Sequence, residues 1–205
     1  MSNLIVRGGN KLNGEITPAG NKNSALPILC ATLLTDQPVV INNFPELTDV
    51  SKLIELMQSL GSKIDWDKEK QTIKIDNSNF CTSFGEEGFP LGMRGAILFL
   101  APLIHRHKKL EVKQEIGGCS LGIRELDPHL EVLKALGAEI INNGNLVIKA
   151  ENGLQGDKLW QDYMSVTTTE NFAMAACLAS GTSVMINAAS EPHVQDLCNF
   201  LNEIG

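Results

Sequence analysis

The sequence predicts an α/β fold made from a repeated β-α-β-α-β-β unit. Three observations predict it. Amphipathic helices recur and align on a closing glycine. An apolar helix and a short β-rich run precede each of them. A pair of short strands follows the first two. The aligned segments are "VSKLIELMQSLGSKI" (Val50 to Ile64), "LDPHLEVLKALGAEI" (Leu126 to Ile140) and "VQDLCNFLNEIG" (Val194 to Gly205). Aligned on Gly61, Gly137 and Gly205, one residue before the glycine stand Leu60, Leu136 and Ile204. Four before stand Met57, Leu133 and Leu201; five before, Leu56, Val132 and Phe200. Seven before stand Ile54, Leu130 and Cys198, and eleven before, Val50, Leu126 and Val194. Such spacing makes one apolar helix face, and the glycine supplies the left-handed residue that ends it.

The elements come in order. Residues 1–14 contain a strand-forming stretch. "NSALPILCATLL", "RGAILFLAPLI" and "ENFAMAACLA" are the apolar helices of the three units. "PVVIN", "KLEV" and "TSVMIN" are the β-rich runs that succeed them. "KIDWDKEKQTIKID" and "EIINNGNLVIKA" are the strand pairs, the second with a hairpin signal at Asn143-Gly144. The units span about 15–80, 81–151 and 152–205. The third stops at Gly205, before its strand pair, so the chain reads as part of a longer protein.

The 205 residues are 43% hydrophobic and 20% charged, which suits a globular protein with a sizeable core. A net charge of -7 argues against a general binder of nucleic acid or of membrane surfaces. No apolar run is long enough to span a bilayer, and the first residues lack a signal-peptide core. A cytoplasmic location is expected. The five cysteines show no CxxC spacing and their number is odd, so neither a disulfide framework nor a metal site is expected. Cys30 and Cys177 sit in apolar helical runs and read as core residues; Cys198 falls on an apolar helix face and Cys81 at a loop or strand end.

Three helix starts point to an anion. "PAGNKNSALPIL" puts Asn21, Lys22, Asn23 and Ser24 at the start of the first apolar helix, with Pro27 expected in its first turn. Free N–H groups and the helix dipole favour negative charge there. An ordinary capped helix with a solvated lysine explains the same residues. Arg94 is the only charge at the start of the second apolar helix, in "PLGMRGAILFL". "SVTTTENFAMAA" starts the third with Ser165, Val166 and Thr167; Thr167 with Glu170 fits a capping box. Packed around a pseudo-threefold axis, the three starts would meet at one end. Arg124 could reach the same place, with a fork suited to phosphate or carboxylate.

Cys119 has a loop of its own, "EIGGCSLGIREL" (Glu115 to Leu126). Glycines expose backbone N–H groups, and nearby Arg124 favours the thiolate. Such a thiol can act as a nucleophile or as a proton donor. His105 and His107 in "IHRHKKL" read as a solvated basic turn, and His193 as a surface residue. His129, after Asp127-Pro128, can cap its helix or contact a ligand.

Taken together, "AGNKN", "MRGA", "GGCSLGIR", "SVTTTEN" and "EPHVQDLCNFLNEIG" resemble the N-terminal half of the UDP-N-acetylglucosamine branch of the enolpyruvyl transferase family. The resemblance covers essentially the whole chain, and the glycine-cysteine loop is specific to that branch. It implies an inside-out α/β barrel, with helices inside the sheets and the third unit truncated here. A second, similar domain would close over a cleft, and residues 1–14 would belong with it. It implies transfer of enolpyruvyl from phosphoenolpyruvate to the 3-hydroxyl of UDP-N-acetylglucosamine, the first committed step of peptidoglycan synthesis, without metal or organic cofactor.

By the same resemblance, Lys22 contacts phosphoenolpyruvate, Asn23 lies beside it, and Arg94 belongs to the substrate site. Cys119 is the mobile-loop proton donor, which forms a covalent adduct with phosphoenolpyruvate and is alkylated by fosfomycin. Arg124 reads phosphate. Glu125, Leu126, Asp127, Pro128 and His129 occupy the uridine segment, and Ser165, Val166 and Thr167 the diphosphate and uracil site. Three residues depart from the pattern: Glu125 stands where proline is usual, Pro128 removes an N–H donor, and Thr167 stands where glycine is usual. They bear on nucleotide affinity more than on the chemistry. An enolpyruvyl transferase for another nucleotide, and a non-catalytic nucleotide-binding homologue, are the other two readings. The general base belongs to the missing half, so this chain alone is expected to be inactive.

Overall fold

The computed structural model describes residues 4–81, 83–84, 89–90, 94–113, 126–142 and 145–205, with the backbone alone for Pro90, Arg94 and Lys113. Residues 4–20 contain no regular secondary structure, and Leu4, Ile5 and Val6 are exposed. The elements then run α1 (Lys22–Ala31), β1 (Val39–Ile41), α2 (Thr48–Ser59), β2 (Lys63–Asp67), β3 (Thr72–Asp76), β4 (Phe89–Pro90) and α3 (Leu100–His107). They continue with β5 (Lys109–Lys113), α4 (Asp127–Ala135), β6 (Glu139–Asn142), β7 (Leu146–Lys149), β8 (Lys158–Trp160), α5 (Val166–Ala176), β9 (Val184–Ile186) and α6 (Pro192–Glu203).

The sheets repeat one plan. In the largest, the order is β4-β5-β7-β6. There β4 runs parallel to β5, and β7 is antiparallel to both neighbours. The first sheet, β1-β3-β2, has the antiparallel part, with Val40 opposite Lys74 and Ile64 opposite Ile75. The third pairs β8 parallel with β9, with Leu159 opposite Met185. Each parallel pair is joined by a crossover helix, as parallel strands require. The Asn143-Gly144 turn lies outside the described residues; the flanking strands pair with Asn142 opposite Leu146.

Helices fill the interior. α1 buries Ser24, Ala25, Pro27, Leu29, Cys30 and Ala31, too many for a single stripe, and it packs on α2 and α6. α5 is equally immersed and meets α3, α4 and α6. The sheets bury one face only: Ile73 and Ile75 point inward from β3, Leu146 and Ile148 from β7. This is the inside-out arrangement, with helices within the sheets. A fully buried leucine such as Leu29 or Leu53 contributes about 1.5–3 kcal/mol.

The closing glycines behave as their spacing predicts. Gly61, Gly137 and Gly205 have φ of 102°, 90° and 101°, in the left-handed region. After α2, Ser62 N donates to Met57 O at 3.0 Å; after α4, Ala138 N donates to Leu133 O at 2.9 Å. The repeated bond shows the same cap used twice. Two helices depart from their expected course at proline. The second apolar helix opens as a 3-10 segment, Arg94–Phe99, and becomes α-helical only at Leu100. Pro102 has no N–H for the carbonyl of Leu98, and its ring crowds that carbonyl. Pro27 lies in the second turn of α1 rather than the first, because the helix starts at Lys22.

Candidate functional site

α1 starts where side chains and close packing place it. Asn21 caps it, accepting from Asn23 N at 2.7 Å and from Ser24 N at 3.3 Å. Gly20 lies against the turn after β1. A Cβ there would sit 2.1 Å from Asn43 O, so only glycine fits. Ser24 Oγ donates to Asp196 Oδ2 of α6 at 2.6 Å. Lys22, the first helical residue, is half-exposed, and its Nζ lies 3.1 Å from Asp49 Oδ2 in the first turn of α2. Asn23 is exposed. A half-exposed positive charge, paired with Asp49, thus sits at a helix end whose N–H groups are capped by Asn21.

α5 starts with a different set of groups. Ser165 is its cap, and its Oγ accepts from Thr168 N at 3.3 Å and from Thr168 Oγ1 at 2.8 Å. Val166 and Thr167 come next, both half-buried. The start of α4 packs beside them. Leu126 precedes α4 and is half-buried, Asp127 is exposed, and Pro128 sits in the first turn. There an N–H would lack a helical partner in any case, so Pro128 costs the helix nothing. His129 points inward and is buried. Its Nδ1 is 2.8 Å from Asn171 Nδ2, and its Nε2 is 3.4 Å from Thr167 Oγ1. Burial pulls its pKa down to about 4, so the ring is neutral at neutral pH.

The structure therefore brings Leu126, Asp127, Pro128 and His129 together with Ser165, Val166 and Thr167. Lys22 and Asn23 lie on α1, which reaches α5 through the Arg94–Phe99 segment that packs on both. Arg94 starts that segment. Cys119, Arg124 and Glu125 lie outside the described residues. Among the described residues no group of three His, Cys, Asp or Glu is placed to hold a metal. No helix of the described residues is long and apolar enough to cross a membrane. A surface groove runs along β1 beside α6, with Ile28 and Asp196 in its lining.

Several expectations are corrected. Thr167 and Glu170 do not form a capping box. The cap is Ser165, which moves Glu170 to the fifth helical residue and turns it inward, 2% exposed. Its Oε1 has no partner among the described residues, and burial, with Glu191 nearby, pushes its pKa up to about 8. Cys177 and Cys198 are exposed, whereas Cys30 is buried as expected and burial raises its thiol pKa strongly. Cys177 sits at the end of α5, where the helix leaves the core. His105 is not a solvated turn residue: it lies in α3 and its Nε2 donates to Ala175 O at 2.8 Å.

Two residues of this region, Asp49 and Asn171, are not among the expected site residues. An aspartate in a first helical turn is ordinary, so Asp49 carries no signal. Asn171 does carry one: it is a polar residue inside the apolar run "ENFAMAACLA". His129 also has a signal in the repeat. Eight residues before the closing glycines stand Leu53, His129 and Leu197, all buried. Two units place leucine there and one places histidine.

Comparison with known proteins agrees with this architecture. Residues 6–205 match the family EPSP synthase (3-phosphoshikimate 1-carboxyvinyltransferase). The chain is 44% identical over 206 aligned residues to the UDP-N-acetylglucosamine 1-carboxyvinyltransferase of Coxiella burnetii (strain Dugway 5J108-111). That alignment covers all of this chain and 47% of the relative. It is 43% identical to the protein of that name from Endomicrobium trichonymphae, covering all of this chain and 49% of the relative. The chain thus spans about half the length of the curated relatives it matches. Among solved structures, the enolpyruvyl transferase NikO from Streptomyces tendae superposes with a TM-score of 0.77 at 20% identity, covering 97% of this chain and 46% of that one. EPSP synthase from Acinetobacter baumannii gives 0.68 at 16% identity, covering 89% and 42%. The repeated units, the inner helices and the match across residues 6–205 lead to one conclusion: the chain belongs to the EPSP synthase (3-phosphoshikimate 1-carboxyvinyltransferase) family.

Proposed function

We propose that the full-length protein carrying this chain transfers enolpyruvyl from phosphoenolpyruvate to the 3-hydroxyl of UDP-N-acetylglucosamine and releases phosphate. The observation that carries this reading is the match along the whole chain to relatives of that name, at 44% identity. The site supports it: a lysine at one helix end and neutral donors at another suit two different anionic ligands. In this reading Lys22, with Asn23 and Arg94, faces phosphoenolpyruvate. Arg124 reads phosphate, and Glu125, Leu126, Asp127, Pro128, His129, Ser165, Val166 and Thr167 surround the nucleotide.

The chemistry forms a C–O bond between the sugar 3-oxygen and C2 of phosphoenolpyruvate; the hydroxyl proton passes to a base of the second domain while C3 gains a proton. Loss of a proton from C3 then expels phosphate. Cys119 gives the proton to C3. Lys22 balances charge on the phosphoenolpyruvate carboxylate and phosphate. A second domain, beyond this chain, supplies the remaining groups, so this chain alone does not turn over. The reaction is the first committed step of peptidoglycan synthesis in the cytoplasm, and no metal or organic cofactor takes part. A second reading, transfer to another nucleotide, is favoured by Glu125, Pro128 and Thr167.

The test is phosphate release by the full-length protein supplied with phosphoenolpyruvate and, in separate arms, UDP-N-acetylglucosamine, other UDP-sugars and shikimate 3-phosphate. Turnover with UDP-N-acetylglucosamine, and a single fosfomycin adduct in the Glu115–Arg124 peptide, are expected. Turnover with another UDP-sugar alone moves the assignment to the second reading. Turnover with shikimate 3-phosphate alone, or with no acceptor, overturns both readings.

A further inference from the structure

One buried cluster has a directional logic. Asn171 Nδ2 donates to Ile97 O at 3.0 Å, which fixes the amide's orientation. The other hydrogen of the same amide nitrogen faces His129 Nδ1 at 2.8 Å. A nitrogen that accepts there cannot carry a proton, so the neutral ring carries it on Nε2. Nε2–H then faces Thr167 Oγ1 at 3.4 Å, and the hydroxyl oxygen accepts. A hydroxyl that accepts keeps its own hydrogen to give elsewhere. Thr167 is the second residue of α5, at the end where its N–H groups also point outward.

The repeat makes this arrangement a choice. His129 occupies a position that the other two units fill with Leu53 and Leu197. A leucine there would pack without needing partners, whereas a buried imidazole needs them. Counting from the caps, Thr167 corresponds to Asn23 of α1, and Asn171 to Pro27. The relay therefore belongs to one unit only.

We propose that Asn171 and His129 are positioning residues. They hold Thr167 as a hydroxyl donor to an anionic oxygen of the nucleotide, and Thr167 thereby sets nucleotide affinity. This rests on the proposed function, in which the start of α5 lies at the nucleotide. His129 touches no ligand through its ring; its part is to fix which way the Thr167 hydrogen points.

The experiment uses the full-length protein with UDP-N-acetylglucosamine as the probe. Thr167→Val removes the hydroxyl at nearly constant shape. It raises KM for UDP-N-acetylglucosamine roughly 10-fold or more, the loss expected for a neutral donor to a charged acceptor, and the loss falls on KM rather than kcat. Thr167→Ser restores KM to within about threefold of the parent, a bound set by the retained hydroxyl donor. Asn171→Leu removes the donor to Nδ1 at similar volume, so nothing fixes the ring proton on Nε2. Its KM rises as in Thr167→Val although Asn171 lies away from the ligand. Nitrogen-15 NMR of the imidazole gives an independent readout without ligand: Nε2–H in the parent is expected. An Nδ1–H tautomer in the parent, or an unchanged KM in Thr167→Val, overturns the proposal. A parent that turns over phosphoenolpyruvate but never binds UDP-N-acetylglucosamine refutes the functional reading instead, and the tautomer still decides the role of Asn171.

Discussion

The starts of α1 and α5 are equivalent positions made with opposite materials. Each is capped by a side chain, Asn21 or Ser165, and each lies on an interior helix. The first residue after the cap is Lys22 in one and Val166 in the other. At α1 the charge is half-exposed and paired directly with Asp49 at 3.1 Å. At α5 the donors are neutral and backed by a buried amide and imidazole. A long charged side chain attracts an anion from a distance but is screened and loses entropy when it settles. A neutral donor held by buried partners attracts weakly at range, yet needs little rearrangement when a ligand arrives. The same fold position can thus serve a small, highly charged ligand or an extended one whose orientation matters.

The largest effect expected is at the charged end. Lys22→Ala in the full-length protein lowers turnover by orders of magnitude while the circular dichroism spectrum stays unchanged. Loss of a charge-assisted bond in a closed site costs on the order of 2–4 kcal/mol, or roughly 30- to 1,000-fold. Turnover close to that of the parent would leave Lys22 as a solvated lysine and remove α1 from the anion-facing starts.

The buried end is expected to dominate the pH dependence of stability. His129 has its pKa lowered to about 4 by burial. Between pH 4 and 6.5 the unfolded chain binds more protons at that residue, so stability falls as pH drops through this window. Glu170 has its pKa raised to about 8, by burial first and by Glu191 second. Between pH 4.5 and 8 the folded state binds more protons there, so stability falls as pH rises. Each group can contribute a slope of up to about 1.4 kcal/mol per pH unit within its window. Glu170→Gln should therefore gain stability over the parent at pH 9, with the gap closing toward pH 4.5. Urea melts at three pH values test this. A gap that does not change with pH would mean that Glu170 is ionised in the folded protein.

A smaller effect tests the caps themselves. Ser165→Ala should destabilise by about 1 kcal/mol, and Asn21→Ala by a similar amount, because each removes bonds to otherwise unpaired N–H groups. Equal losses in urea melts would show that the two starts differ only in the residues after the cap. A much larger loss at Ser165 would show that the buried cluster depends on it.

How much of this is legible in the sequence depends on what each residue signals locally. The repeat, the closing glycines and the apolar helices follow from apolar spacing alone, since burial of a helix face needs only that pattern. That those helices lie inside the sheets comes from the family resemblance. The three helix starts are also legible, because caps and single charges at helix ends are local. Glu170 misleads because a threonine three residues earlier mimics a cap, while the true cap, Ser165, lies two residues before that threonine. Cys177 and Cys198 mislead because an apolar run does not say where its last turn leaves the core. The His129–Asn171–Thr167 contact joins residues far apart in sequence, and only folding reveals it. Its trace is a histidine in a leucine position of the repeat and an asparagine in an apolar helix.

The smallest effect concerns Asp49, and it separates two roles for the pair with Lys22. Both side chains are about half-exposed, at 46% and 59%, so the pair is open to water and screened by salt. Pairs of this kind contribute about 0–1 kcal/mol. Asp49→Asn should therefore change stability by no more than about 0.5 kcal/mol in a urea melt. The effect on function has a sign that stability lacks. If Asp49 only occupies Lys22 until an anion displaces it, removing its charge frees the lysine. KM for phosphoenolpyruvate then falls by roughly two- to threefold, the equivalent of about half a kcal/mol. If Asp49 instead holds Lys22 pointed at the ligand, the same variant raises KM, and raising the salt concentration does not reproduce the change. Measuring KM in parent and variant at low and high salt decides between a competing carboxylate and an orienting one. The first outcome keeps the charged end a long-range attractor. The second would make α1 as preorganised as α5, and the contrast between the two helix starts would disappear.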